Sequence, residues 1–172
     1  MKHAYASRLE RVREAMEGAG LGALLVTRPA SVRWLSGFTS PEDARVLVTG
    51  SDAWLLTDGR YVAQAAEESA LETIIERAWH GVVASHVGEG AVGIEADHVT
   101  LAVANRLGAS LRREPVATEG LVTNLRRAKD EEERSAIRRA AALTDRTYAD
   151  ALSVLAPGMR EVDVASRRTN CS

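Results

Sequence analysis

Apolar positions along the chain alternate between two periods. Leu9, Val12, Met16 and Ala19 recur at helical spacing, with Arg8, Glu10, Arg11 and Glu14 on the opposite side. Ser7 followed by Glu10 predicts a capping box at the start of this helix, and Gly18 with Gly20 predicts its stop. GALLVT reads as a buried strand, closed by Pro29. Ser31 is expected to cap a short turn, SVRWLSGF, that carries Trp34, Leu35 and Phe38 inward. ARVLVT and AWLLTD flank Gly50-Ser51-Asp52, which predicts a hairpin. YVAQAAEESA is helical by propensity, LETIIER alternates as a half-exposed strand, and AVGIE is a further strand. Asp97 is the expected cap of HVTLAVANRLGASL, and REPVA a last short strand.

From Glu119 the pattern becomes helical. EGLVTNLRR leads through Ala128-Lys129 into a long helix, where Asp130 with Glu133 predicts a capping box and the acids of the first turn complement the helix dipole. Ile137, Ala141, Thr144, Tyr148, Leu152 and Leu155 trace one face, and Pro157-Gly158 ends the element. An alternating α/β body followed by a long helix is the expected organisation, with no internal repeat.

Composition narrows the function classes. The 172 residues carry a net charge of −2, which gives no argument for nucleic acid or an anionic membrane as partner. The one cysteine, Cys171, excludes a disulfide within the chain, and MKHAYASRLE is too polar for a signal peptide. No apolar run approaches the roughly 20 residues that span a bilayer. A cytoplasmic protein is expected, with neither nucleic acid nor membrane among its partners.

Several motifs invite chemistry and fail on context. Gly88-Glu89-Gly90-Ala91-Val92-Gly93 fits a dinucleotide pattern, but it precedes a strand instead of joining a strand to a helix. His80 and His86 are six apart, and no nearby acid or cysteine completes a structural metal site with either. Cys171 lies in a polar tail, a poor setting for a thiolate nucleophile. Asp145 and Asp150 diverge on their helix, and Asp163 lies beyond the Pro-Gly break. From the residues alone, no catalytic set emerges.

Four stretches, RLERVREAMEGAGLGALLVTRPASVRWLSGF, AWLLTDGRYVAQA, VGIEADHVT and LVTNLRRAKDEEE, occur in an order and spacing that resemble a known family. They are similar to the N-terminal domain of the creatinase / Xaa-Pro peptidase family, which includes prolidases, Xaa-Pro aminopeptidases and creatine amidinohydrolase. Val32-Arg33-Trp34-Leu35-Ser36-Gly37-Phe38 resembles the family's Tyr-Leu-Thr-Gly-Phe turn, and Asp58-Gly59-Arg60-Tyr61 its Asp-x-Arg-Tyr segment. Arg126-Arg127-Ala128-Lys129 and the acids after it resemble the junction that opens the catalytic domain.

The resemblance implies a ribonuclease-H-like α/β fold, a mixed sheet flanked by helices, followed by a long C-terminal helix. It divides the chain into an N-terminal domain over 1–125, a connecting helix over 126–156 and a truncated or non-family tail over 157–172. Family N-terminal domains carry no cofactor. In the pita-bread catalytic domain, two Asp, one His and two Glu hold two divalent metals such as Mn or Co, which activate water and polarise the scissile carbonyl. None of those ligands falls in this sequence, so the chain alone is expected to be non-catalytic. Its implied partners are a second copy, as a homo-oligomer (dimer), or a catalytic domain. The alternatives are a fragment of an active dimetal Xaa-Pro dipeptidase and a small-molecule or protein-binding orphan module.

Site residues carry over sparsely. Arg60 and Tyr61 match the motif; the architectural expectation is that Tyr61 packs and Arg60 pairs with an acid such as Asp58, the alternative being substrate contact. The loop TSPEDAR corresponds to the region where family members lean toward the neighbouring active site. Asp43 and Arg45, with Arg60 and Tyr61, are therefore the substrate-gating candidates.

Overall fold

Short runs of branched and large apolar residues form the buried inner strands, flanked by more exposed edge strands, and in the computed structural model of this chain, which describes residues 2–162, six strands make one sheet. In chain order they are β1 (Ala23–Val26), β2 (Arg45–Thr49), β3 (Ala53–Thr57), β4 (Glu72–Ile75), β5 (Val92–Glu95) and β6 (Val116–Thr118). The sheet order is β4-β3-β2-β1-β5-β6. β2 runs antiparallel to both neighbours, with Leu25 facing Leu47 and Val46 facing Leu55; the β3–β4, β1–β5 and β5–β6 pairs are parallel. The sheet is therefore mixed, as expected.

The period-two alternation splits the core into two layers. Leu24, Val26, Val46, Val48 and Leu55 face Leu9, Val12 and Met16 of α1 (Lys2–Gly18), together with Trp34 and Leu35 of α2 (Pro29–Ser36) and Phe38. On the other face Leu25, Leu47, Leu56 and Ile94 meet Trp79 and Val83 of α3 (Trp79–His86) and Leu107 and Leu111 of α4 (Leu101–Leu111). Gly93 faces the first layer without a side chain, because a Cβ there would lie 2.7 Å from Leu21 Cδ1 and 3.0 Å from Leu24 Cδ1.

Several ends differ from the sequence reading. α1 does not start at a Ser7 cap; the helix already runs through this exposed residue from Lys2. Tyr5 has a tertiary role there, lying under the Arg8 guanidinium and against Gly37. The stop holds: Leu21 N–H donates to Met16 O and Gly20 N–H to Glu17 O, a Schellman closure with Gly20 at φ 67°. Ser31 caps nothing, since the helix begins two residues earlier at Pro29, whose fixed φ suits a first helical position. Asp97 caps nothing either. Thr100, in extended backbone, accepts from Val103 N–H, while Asp97 pairs with Arg28. The helix Trp79–His86 was not anticipated, because WHGVVASH shows no clear period and contains Gly81.

The chain separates into two compact units, Met1–Ala128 and Lys129–Ser172. A short helix, α5 (Val62–Glu68), follows β3, and another, α6 (Leu121–Leu125), closes the first unit. The second unit contains α7 (Glu131–Val154), opened by the expected reciprocal capping box of Asp130 and Glu133. Glu131 accepts from both Arg134 and Arg138 along its surface. Ile137, Leu143, Tyr148 and Leu152 are each more than half exposed on this helix, and Leu155 follows it equally exposed. Of the tail expected over 157–172, residues 163–172, with Asp163 and Cys171, lie outside the described residues.

Candidate functional site

Three of the four sequence candidates meet at one end of the sheet. Asp43 closes a 3-10 turn (Pro41–Asp43) before β2, and Asp58 follows β3 directly. The Asp58 side chain accepts the Arg60 backbone N–H at 3.0 Å, which folds Gly59–Tyr61 into a second 3-10 turn. Arg60 then forks back on the same carboxylate, Nε to Oδ1 at 3.0 Å and NH2 to Oδ2 at 2.8 Å, while NH2 also donates to Asp43 Oδ1 at 2.9 Å. The Tyr61 hydroxyl donates to Asp43 Oδ2 at 2.6 Å, and its ring stands edge-on to Phe38 at 5.7 Å. Thr57 Oγ1 completes the tie by donating to the Asp43 carbonyl.

The electrostatics follow from these bonds. The Tyr61 and Arg60 donors hold the Asp43 carboxyl below its ordinary range, and Arg60 holds Asp58 at about 2. The two carboxylates hold Arg60 protonated, and Asp43 pushes the Tyr61 phenol up. Arg60 pairs with Asp58 and Tyr61 packs, the architectural arrangement. Both side chains nevertheless keep one edge of the cluster toward solvent, with Arg60 65% exposed.

Arg45, the fourth candidate, stands apart. Its guanidinium lies over the Trp79 ring, 4.6 Å from the centroid, and makes no hydrogen bond or ion pair among the described residues. Partial burial pushes its ionisation down, opposed by the charge of Asp43. Sequence reasoning missed the neighbours: Trp79, and Glu42, which shares two surface recesses with Arg45. Trp79 lies in no motif, whereas Glu42 lies within the TSPEDAR loop. Three histidines are held singly: His80 stacks on Trp79, His86 meets Trp54 edge-on, and His98 Nδ1 lies 3.0 Å from Thr27 Oγ1.

Among the described residues no group of three or more His, Cys, Asp or Glu is placed to hold a metal ion. Asp43 and Asp58 direct their carboxylate oxygens at Arg60 and Tyr61. No described helix is long and apolar enough to cross a membrane.

Comparison with known proteins assigns the family. The model of the creatinase/prolidase N-terminal domain matches residues 8–128. The uncharacterized peptidase YqhT of Bacillus subtilis (strain 168) is 27% identical over 165 residues, 92% of this chain and 46% of that protein. The Xaa-Pro dipeptidase from Bacillus anthracis superposes with a TM-score of 0.80 at 28% identity, over 94% of this chain and 47% of that one. The N-terminal domain of the cytoplasmic peptidase PepQ from Mycobacterium tuberculosis H37Rv aligns at 34% identity and a TM-score of 0.63, over 69% of this chain and 98% of that one. The chain thus spans about half the length of the B. subtilis and B. anthracis proteins. By its sheet, its Asp58–Tyr61 motif and the span matched, this chain belongs to the creatinase/prolidase N-terminal domain family.

Proposed function

We propose that this chain serves as the non-catalytic N-terminal domain of an Xaa-Pro peptidase-type protein, contributing self-association and substrate gating rather than the hydrolytic step. The observation that carries the reading is the family match over residues 8–128, joined to a helix whose large apolar side chains are exposed. Gating falls to the end of the sheet where Asp43, Arg60 and Tyr61 gather in polar, solvent-facing turns, with Arg45 apart from them on Trp79. Self-association falls to α7, because exposed Ile137, Tyr148 and Leu152 favour burial against a second copy. A cytoplasmic location accords with the description of the PepQ relative.

Sedimentation equilibrium of the purified chain tests the first part: the weight-average mass rises with concentration, and Leu152→Glu returns it to the monomer value. A monomer at every concentration overturns self-association. Proline release from alanyl-proline with added manganese tests the second part, and no turnover is expected. Turnover would favour the second reading, part of an active Xaa-Pro dipeptidase, which the 47% coverage of the B. anthracis enzyme supports.

A further inference from the structure

The topology singles out one end of the sheet. β1, β3, β4 and β5 run in the same direction, so their carboxyl ends share an edge with the start of the antiparallel β2. After β1 the chain builds β2, β3 and β4 outward on one side, then returns to place β5 on the other. Open α/β sheets bind ligands outside the carboxyl ends of their strands at such a switch point. Two recesses open there, one of about 250 Å³ floored by Ala44, Val99 and Val103, the other of about 180 Å³ between the ends of β3 and β4. Arg45 and Glu42 line both.

The charged side chains at this end of the sheet differ in how far they are paired. Arg28 and Arg60 each have carboxylate partners, and Asp43 and Asp58 are engaged by Arg60. The side chains of Arg45 and Glu42 make neither a hydrogen bond nor an ion pair among the described residues. Trp79 beneath Arg45 holds the guanidinium by cation–π attraction without consuming its donors. A planar fork of that kind matches a carboxylate. Phosphate fits poorly, because the smaller recess sets four acids, Glu42, Asp43, Asp58 and Glu76, against Arg45 and Arg77. A ligand that brings its own cation is compatible with that field.

We propose that this crevice binds a free aliphatic α-amino acid. Its carboxylate lies on the Arg45 guanidinium, its ammonium faces Glu42, and its side chain enters the recess of Ala44, Val99 and Val103. The site belongs to this domain alone and does not depend on a catalytic partner or on the gating reading.

The test is a ¹H–¹⁵N and methyl NMR titration of the chain with L-leucine, read at the Trp79 indole and the Val99 and Val103 methyls. Leucine is expected to move all three saturably. Leucinamide, which lacks the carboxylate, and 4-methylpentanoate, which lacks the amine, should each bind at least about tenfold more weakly, because each leaves one charged group of the site unpaired. Arg45→Gln should weaken leucine by a similar factor while the rest of the spectrum is retained. Unmoved resonances at millimolar leucine, or equal binding of leucinamide, would overturn the proposal. Should Arg45→Gln fail to fold, the ligand series on the unaltered chain decides by itself.

Discussion

Glu95 is 4% exposed, and its Oε2 accepts the backbone N–H groups of Thr27 and Arg28, both at 2.7 Å. Those donors lie at the start of α2, so a carboxylate from β5 serves a helix end that has no side-chain cap of its own. Glu95→Ala leaves two N–H groups without that acceptor and should cost about 1–3 kcal/mol in urea unfolding, with Glu95→Gln milder because an acceptor oxygen remains. The Asp43–Arg60–Asp58 cluster carries a pH signature instead. The folded Asp58 carboxyl sits at about 2 against an ordinary 3.8, so between those values the unfolded chain binds the extra proton. The cluster's contribution to stability is full above about pH 4 and is lost as pH falls through about 2. Carboxyl ¹³C titration checks this; a midpoint for Asp58 near 3.8 would show that Arg60 does not hold it.

At the scale of elements, Gly37 shows how a single position fixes the entry to the site. It ends α2 at φ 81°, and a Cβ there would lie 2.7 Å from the Tyr5 hydroxyl and 3.2 Å from Glu68 O. Gly37→Ala therefore meets both left-handed strain of roughly 1–2 kcal/mol and a steric clash, and a loss of at least that size is expected in thermal or urea unfolding. The inner strands were legible in the sequence because each is a short apolar run, and the edge strand β4 because LETIIER alternates. The Gly50-Ser51-Asp52 hairpin and the Asp130–Glu133 capping box were legible because their signals are local. Ser7, Ser31 and Asp97 misled for the opposite reason: where a helix begins is decided here by Tyr5 against Gly37, by Pro29 and by Thr100, and only the last two can be weighed locally. Within the site, the motif pointed to Arg60 and Tyr61. The bond between Tyr61 and Asp43, 18 positions apart, and the placement of Arg45 on Trp79 arise only when the strand ends are brought together.

At the scale of the whole molecule, every buried apolar side chain from Leu9 to Val122 precedes Ala128, where the first unit ends. Both core layers are thus complete within that unit, and α7 contributes no buried residue. A chain of that length buries enough surface to fold unaided. Residues 1–128 alone should therefore unfold in one cooperative step. The decisive comparison uses Leu25, fully buried in the sheet against α3 and α4, where truncation to alanine costs about 2–5 kcal/mol. If the first unit is energetically self-sufficient, Leu25→Ala lowers stability by the same amount in residues 1–128 and in the full chain. A penalty that is markedly smaller in the shortened chain, or a shortened chain with no cooperative transition, would mean that Lys129–Ser172 is needed to consolidate the core.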